Sequence, residues 1–514
     1  MDGLKDPDQQ DWGLFGRPLF NKPSARALSR VGVVDVGSNS VRMVVFDGAA
    51  RSPAYFFNEK IMCRLGEHMS KTGRLNPEGR VRALAAIKRF QKLGETIGTG
   101  PLTAIATAAM REAEDGEEFR QQILEETGLP VMVIDGHEEA RLAAQGVLLG
   151  WPASYGLVCD IGGSSMELAE INGGEVGKRM TSPLGPFNLR EIKGGRKARN
   201  AHIKSTIDAM QAQLGEQKNR LFLVGGSWRA IAKIDMLRRG YPLRVLHEYR
   251  MSAKSVRATE EFIRKNSLEY LRAEAGISMN RLEFVPYAIE VLRRLVKTFR
   301  PRDIAISSYG VREGLLYEQM PEPLRERDPL IEACRFAEAK DARLPGYGKL
   351  MFEFLQPLFS NAKPENLRLI KAACLLHDVS WRAHPDYRAE DCFDNATRAN
   401  LGGLKHSERI FLGLALMHRY SNQDEGTRFE ALNTLVSEKG RKYAQILGRA
   451  MRFAAIFWLS RDVQFGKLKW QPKKRVLTLR LKADAADLFG EVAQARFKSL
   501  ADSLEAESRV IVGK

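Results

Sequence analysis

Apolar positions change period along this chain. VGVVDV and SVRMVVFD, on either side of a Gly-Ser-Asn turn, predict strand, turn and strand over residues 31–47. From Pro77 to about Ile97 the spacing widens to that of an amphipathic helix, and Leu102 to Ala106 and VMVID at 131–135 return to strand character. A second α/β segment starts near Gly156 with GLVCDIGGSSMELAEI, runs through a helix around 200–216, and regains strands at LFLVGG (221–226) and DIAISS (303–308). From about Pro321 long helical periodicities take over (LRLIKAACLLHD, ERIFLGLALMHRY, YAQILGRAMRFAAIFWLS), followed by a basic turn and one strand, RVLTLRLKA. The expected organisation is a loosely ordered extension over 1–29, α/β domains at 30–148 and 149–320, and a helical domain with a small α/β tail at 321–514.

The two α/β segments share a signature. Asp35-Val-Gly37-Ser38-Asn39-Ser40 and Asp160-Ile-Gly162-Gly163-Ser164-Ser165 carry Asp, Gly and Ser at the same offsets, each between apolar runs, one domain length apart. Such turns are expected to leave backbone N–H groups unpaired beside small side chains, which makes a phosphate cradle; tight hairpins use the same residues for local reasons. A carboxylate opening each turn repels phosphate unless a cation lies between them, so Asp35 and Asp160 point to Mg²⁺ held through waters.

Composition narrows the classes. With 514 residues, 44% of them hydrophobic, the chain can bury several cores. Its 80 Lys and Arg against 63 Asp and Glu leave +17, which suggests a polyanionic partner: nucleic acid, an anionic membrane or polyphosphate. Five scattered cysteines without a CxxC pair indicate neither a disulfide framework nor a thiolate zinc site and fit a reducing cytoplasm. No apolar run has the length of a signal peptide or membrane span.

Six motifs in order, VVDVGSNSVRMVVFD, IATAAMREAED, IDGHEEARLAAQGV, VCDIGGSSMEL, VGGSWRAIAKI and SSYGVREGLL, closely resemble the exopolyphosphatase and guanosine pentaphosphate phosphatase family. That family lies within the superfamily of actin, heat-shock ATPases and sugar kinases. The resemblance implies an α/β fold of two duplicated actin-like (ribonuclease H-like) domains, followed by a mainly helical His-Asp phosphohydrolase-like domain. It implies phosphate loops at Ser38, Asn39 and Ser40 with Arg42, and at Gly162, Gly163, Ser164 and Ser165; a third glycine loop lies at Gly225, Gly226 and Ser227. Arg111 resembles the arginine that contacts the phosphate under attack, and Glu139 matches the general base. Asp160 and Glu167, with Asp35, match positions associated with the metal and the water.

The activity so implied is Mg²⁺-dependent hydrolysis of terminal phosphate from inorganic polyphosphate, with guanosine pentaphosphate as the alternative substrate. Another divalent cation in place of Mg²⁺, stimulation by a monovalent cation, and a homodimer belong to the same expectation; nucleic acid and membrane partners do not. The basic clusters at 194–199, at Arg293, Arg294, Lys297, Arg300 and Arg302, and at Lys467 to Arg475 form a track for a long polyanion in this reading, which makes cleavage processive. Ser164 stands where the family keeps a glycine and is expected to adopt glycine-like backbone geometry, while Met166 replaces a hydroxyl. Trp228 is expected to fill the space that nucleotide binders leave for adenosine. His377-Asp378, with His384, His406 and His418, resembles a His-Asp phosphohydrolase motif, but the upstream histidine of a working metal site is missing, so no second active site is assigned there.

Overall fold

Strand β1 (Val31–Val36) has Val33 and Val34 both fully buried, as a strand covered on both faces must. It anchors a five-stranded sheet of order β3-β2-β1-β4-β5, formed with β2 (Ser40–Asp47), β3 (Ala54–Met62), β4 (Thr103–Ala106) and β5 (Val131–Val133). β1–β2 and β2–β3 are antiparallel; β1–β4 and β4–β5 are parallel. The computed structural model describes residues 30–47, 51, 54–421, 427–457 and 465–513, so the extension expected over 1–29 lies outside the described residues.

The second sheet repeats the first. Its order is β10-β11-β9-β6-β7-β8, with β6 (Tyr155–Ile161), β7 (Met166–Asn172), β8 (Glu175–Ser182), β9 (Arg220–Val224), β10 (Arg250–Met251) and β11 (Asp303–Ile306). β6–β7 and β7–β8 are antiparallel, and β6–β9 and β9–β11 are parallel; the extra strand β10 adds an antiparallel edge. The repeat read from two six-residue strings is therefore a repeat of topology.

Local chemistry explains the helices. The helix Pro77–Ile97 starts where the Asn76 side chain accepts from the N–H groups of Glu78 and Gly79, and it stops at Gly98, whose φ of 73° suits a residue without Cβ. Gly136–Gly150 and Val311–Gln319 cross closely: a Cβ on Gly146 would collide with the Gly310 carbonyl, and one on Gly314 with that of Leu142. The crossing joins the two sheets' domains into one unit, residues 24–327.

The chain divides between residues 327 and 328, a little beyond the expected 320/321. Arg325 explains the shift, because its carbonyl accepts from Arg51 Nε at 3.0 Å and its guanidinium covers the Tyr317 ring at 5.1 Å. Past the division the chain is helical, including Pro364–Leu376, His406–Tyr420, Glu438–Phe457 and Glu491–Ser503. The tail has three strands where one was expected: β12 (Gly466–Gln471), β13 (Val476–Leu481) and β14 (Glu507–Val512), in the order β12-β13-β14. β12 interleaves Lys467 and Lys469 with its apolar residues, and β14 is exposed along its whole length, so neither shows the burial signal of β13. All five cysteines are buried free thiols.

Candidate active site

The two signature turns are the same hairpin made twice. Asp35 lies opposite Arg42 and Asp160 opposite Glu167, seven residues on in each case. Gly37 N–H donates to Ser40 O and Gly162 N–H to Ser165 O, both at 3.0 Å. Of the two alternatives posed from the sequence, the hairpin is the one these pairings form. The two glycine amides are consumed by the turn, and what clears a path for an anion is the fate of the carbonyls. Ser38 O accepts from Gly66 N, and Asn39 O from Cys63 and Arg64 N; Gly163 O accepts from Phe187 N, and Ser164 O from Gly185 N and Asn188 Nδ2. With carbonyl dipoles tied back, the loops are left with hydroxyls and the remaining amides. The Ser164 hydroxyl is buried without a hydrogen-bond partner among the described residues.

The departures behave differently from expectation. Ser164 is absent from the non-glycine residues with positive φ, so no glycine geometry is demanded there. Met166 is fully buried in the core, so it removes nothing from the loop. Trp228 is also fully buried, in the first turn of helix Gly226–Arg238 and within the second domain's core, and it is not in the wall of the cavity described below. Gly225 caps that helix at φ 112°, and a Cβ there would press on Asp160 Oδ1. The third loop thus brings a helix N-terminus to the second aspartate.

A cavity of about 410 Å³ opens between the loops. All three loops line it, together with Asp35, Arg42, Glu139 and Asp160. Arg111 and Glu167 are not in its wall. Arg111 sits behind Glu139, with Nη1 3.8 Å from Glu139 Oε2 and donating to Ile134 O at 2.8 Å, and Nη2 3.4 Å from Glu112. Glu167 is buried beneath Asp160 on the neighbouring strand and accepts from the Thr181 hydroxyl at 3.1 Å.

Sequence reasoning singled out only one of the five cations in the lining. Lys60, Arg229, Arg281 and Arg312 join Arg42, so five cations face Asp35, Glu139 and Asp160. Arg229 and Arg312 lay inside quoted motifs, VGGSWRAIAKI and SSYGVREGLL, whereas Lys60 and Arg281 had no local signal. The cations step outward. Arg42, Arg229 and Arg312 are half-buried, Arg312 being 12% exposed and 3.9 Å from Asp35, whereas Lys60 and Arg281 are exposed. Crowding shows in their proton affinities: the cleft, then Arg281 and Arg42, lowers Lys60 to about 8, and burial, then Arg312 and Arg229, lowers Arg42 to about 10. Such a site is short of negative charge.

Behind this layer the carboxyls crowd one another. Burial raises Asp160 to about 6 despite Arg229, and burial followed by Glu167 and Asp160 holds Glu139 well above the usual glutamate range. Burial and Asp160 push Glu167 up as well. Oε2 of Glu139 and Oε2 of Glu167 are buried without hydrogen-bond partners among the described residues. Oxygens of this kind suit a hard cation, and Mg²⁺ needs only one or two carboxylates when phosphate oxygens and waters complete its shell. No group of three metal-ligating side chains occurs among the described residues, so a cage built from protein alone is not what this donor set offers.

Two of the expected basic clusters are stitched into the fold. Arg196 and Arg199 pair with Glu290 at 3.1 and 2.6 Å, Arg293 lies 3.4 Å from Glu260, and Arg294 pairs with Asp208. In the C-terminal unit Asp378 is held by Arg343 at 2.6 Å, and His377 Nδ1 lies 2.8 Å from Cys374 O. Burial lowers His377 to about 3.

Residues 44–323, over half the chain, match the family model described as Ppx/GppA phosphatase family, and residues 358–510 match one described as Exopolyphosphatase, C-terminal. Exopolyphosphatase 1 of Mycobacterium tuberculosis is 26% identical over 305 residues, covering 57% of this chain and 88% of that protein. Among solved structures, an exopolyphosphatase from Cytophaga hutchinsonii aligns with a TM-score of 0.51 at 24% identity, over 56% of this chain and 97% of its own. The Aquifex aeolicus Ppx/GppA family member aligns at 0.50 and 24%, over 58% and 99%. At that identity the structures speak for the fold of the paired α/β domains.

Proposed function

The chain belongs to the Ppx/GppA phosphatase family, and on that premise we propose that it is an exopolyphosphatase, releasing orthophosphate from the end of inorganic polyphosphate with Mg²⁺ as cofactor. The observation that carries this reading is the row of five cations from the depth of the cavity to its mouth, more positive charge than one terminal phosphate needs. A linear polyanion would occupy successive steps of it.

The chemistry asks for little beyond placement and charge neutralisation, because a phosphoanhydride already has a good leaving group. The serine-rich loops, Arg312 and Arg229 would hold the terminal phosphoryl group. Glu139 would orient a water and take its proton as the water oxygen bonds to phosphorus; the anhydride P–O bond breaks and the shortened chain leaves with that oxygen as an anion. Asp35 or Asp160 would hold Mg²⁺, whose charge would neutralise the phosphate oxygens when bound. Arg111, behind Glu139, would favour its ionised form. With Arg196, Arg199, Arg293 and Arg294 paired internally, retention of substrate between cuts would rest on Lys60 and Arg281, and it should weaken with salt.

A second reading, hydrolysis of guanosine pentaphosphate, is favoured by the surface next to the loops. Phe187 and Phe284 meet edge to face with centroids 4.8 Å apart, and Arg190 lies 5.4 Å from the Phe284 ring, which is a surface a base can stack on. Phosphate release from long-chain polyphosphate and from guanosine pentaphosphate, measured in parallel with Mg²⁺, decides between them. Release mainly from polyphosphate is expected; preference for the nucleotide would replace the first reading with the second, and silence on both would sink both.

A further inference from the structure

Glu313 is a buried carboxylate that the reaction described above does not use. It is 1% exposed, follows Arg312 directly in helix Val311–Gln319, and is not in the cavity wall. Both of its oxygens accept hydrogen bonds: Tyr55 Oη donates to Oε1 at 2.9 Å, and Gly310 N–H donates to Oε2 at 2.7 Å. Tyr55 comes from β3, at the edge of the first sheet, where its ring leans on Phe46 of β2 with centroids 5.4 Å apart. Burial, and then Glu313, hold the Tyr55 phenol well above its usual range, so it stays a donor.

The turn that leads into Arg312 is gripped from three sides. A Cβ on Gly310 would come within 2.7 Å of Val224 Cγ1, at the end of β9, and the Gly310 carbonyl occupies the place a side chain on Gly146 would need, in the helix that carries Glu139. Glu313 adds the third hold, to β3 through Tyr55. The Arg312 guanidinium, by contrast, lies 3.9 Å from Asp35, too far for a hydrogen bond. Burial works against its charge, and Glu313 and then Asp35 outweigh that cost. The larger counter-charge therefore stands outside the cavity wall, and Asp35 is not tied up by an arginine.

On the reading that Arg312 holds the terminal phosphoryl group, we propose that Glu313, anchored by the Tyr55 hydroxyl, is the positioning residue of Arg312. It fixes the turn that carries the guanidinium and supplies a counter-charge that substrate does not have to displace. An arginine paired with a carboxylate inside the cavity must break that pair before it can bind phosphate; one balanced from outside the wall keeps its donors free and loses nothing to reorganisation when charge develops.

The test is a double-mutant cycle on phosphate release, with Tyr55→Phe and Glu313→Gln made alone and again in an Arg312→Ala background, and with kcat, KM and melting temperature measured for each. Glu313→Gln should lower kcat by up to roughly a hundredfold, the scale of misplacing one catalytic group, and Tyr55→Phe by less. In the Arg312→Ala background neither should lower it further, because the group they position is gone. Tyr55→Phe keeps the ring and its contact with Phe46, so it carries the test if Glu313→Gln fails to fold. A role in stability alone would lower the melting temperature and reduce activity by the same factor with or without Arg312; that additivity, or full kcat in Tyr55→Phe and Glu313→Gln, would overturn the proposal while leaving the reading of the reaction intact. An Arg312→Ala variant with unchanged kcat, or a parent that releases phosphate from neither polyphosphate nor guanosine pentaphosphate, would instead remove the reading and the proposal with it.

Discussion

Arg42 on β2 lies directly opposite Lys60 on β3, two cations paired across neighbouring strands at the edge of the first phosphate loop. Like charges in that position destabilise a sheet by up to about 1 kcal/mol. A polyanion in the cavity reverses the sign, so Lys60→Met should leave stability equal or slightly higher while raising KM for polyphosphate several-fold and flattening its salt dependence. Unchanged KM across salt concentrations would remove Lys60 from the binding surface.

Glu139 is held protonated more firmly than an ordinary glutamate, by burial first and then by Glu167 and Asp160. A base of that kind works only once its proton has left, so activity should fall on the acid side well above the normal glutamate range. A rate profile flat down to about pH 5 would contradict this. Glu139→Gln should lower kcat by roughly 10²–10⁴ with polyphosphate binding retained.

Arg312 and Arg111 separate by position. Arg312 lines the cavity and reaches toward Asp35, whereas Arg111 touches Glu139 from behind. Arg312→Ala should cost about 10²–10³ in kcat, the scale of losing a preorganised charge at a transition state. Arg111→Ala should instead move the acid limb of the pH profile upward, because a cation beside Glu139 is gone. If Arg111→Ala changes rate without moving the limb, Arg111 contacts substrate.

Glu167 bears on stability. Burial and Asp160 raise its carboxyl from 4.5 to about 8. Below pH 4.5 it is protonated folded or unfolded and costs nothing; between the two values the unfolded chain releases the proton that the fold retains, so stability falls as pH rises, and above about 8 the penalty is complete. Glu167→Gln should therefore raise the melting temperature of chelator-treated protein most at alkaline pH, with the gain fading toward pH 4.5. A gain independent of pH would point to packing instead.

Trp228 belongs to the core and not to the substrate site. Trp228→Ala should destabilise the protein by about 3–5 kcal/mol, and Trp228→Phe should leave the ratio of activities on polyphosphate and guanosine pentaphosphate unchanged. A shift in that ratio would show the indole acting on substrate choice.

The sequence by itself determined the duplicated α/β pattern, the helical last third and the loops that line the cavity. Those features are local: strand alternation, turn residues and the Asp-Gly-Ser spacing all act within a few positions. Tertiary structure decided the rest. Lys60 and Arg281 reach the mouth from segments without a motif, because strand pairing and chain folding bring distant residues together. Arg111 and Glu167 fell behind the cavity wall, and Trp228 turned inward, because which way a side chain faces depends on what the opposite face of its helix or strand must bury. Arg196, Arg199, Arg293 and Arg294 of the basic clusters pair with Glu260, Glu290 and Asp208, pairings no count of lysines and arginines reveals. Composition counts charge; only the fold sets which charges find partners.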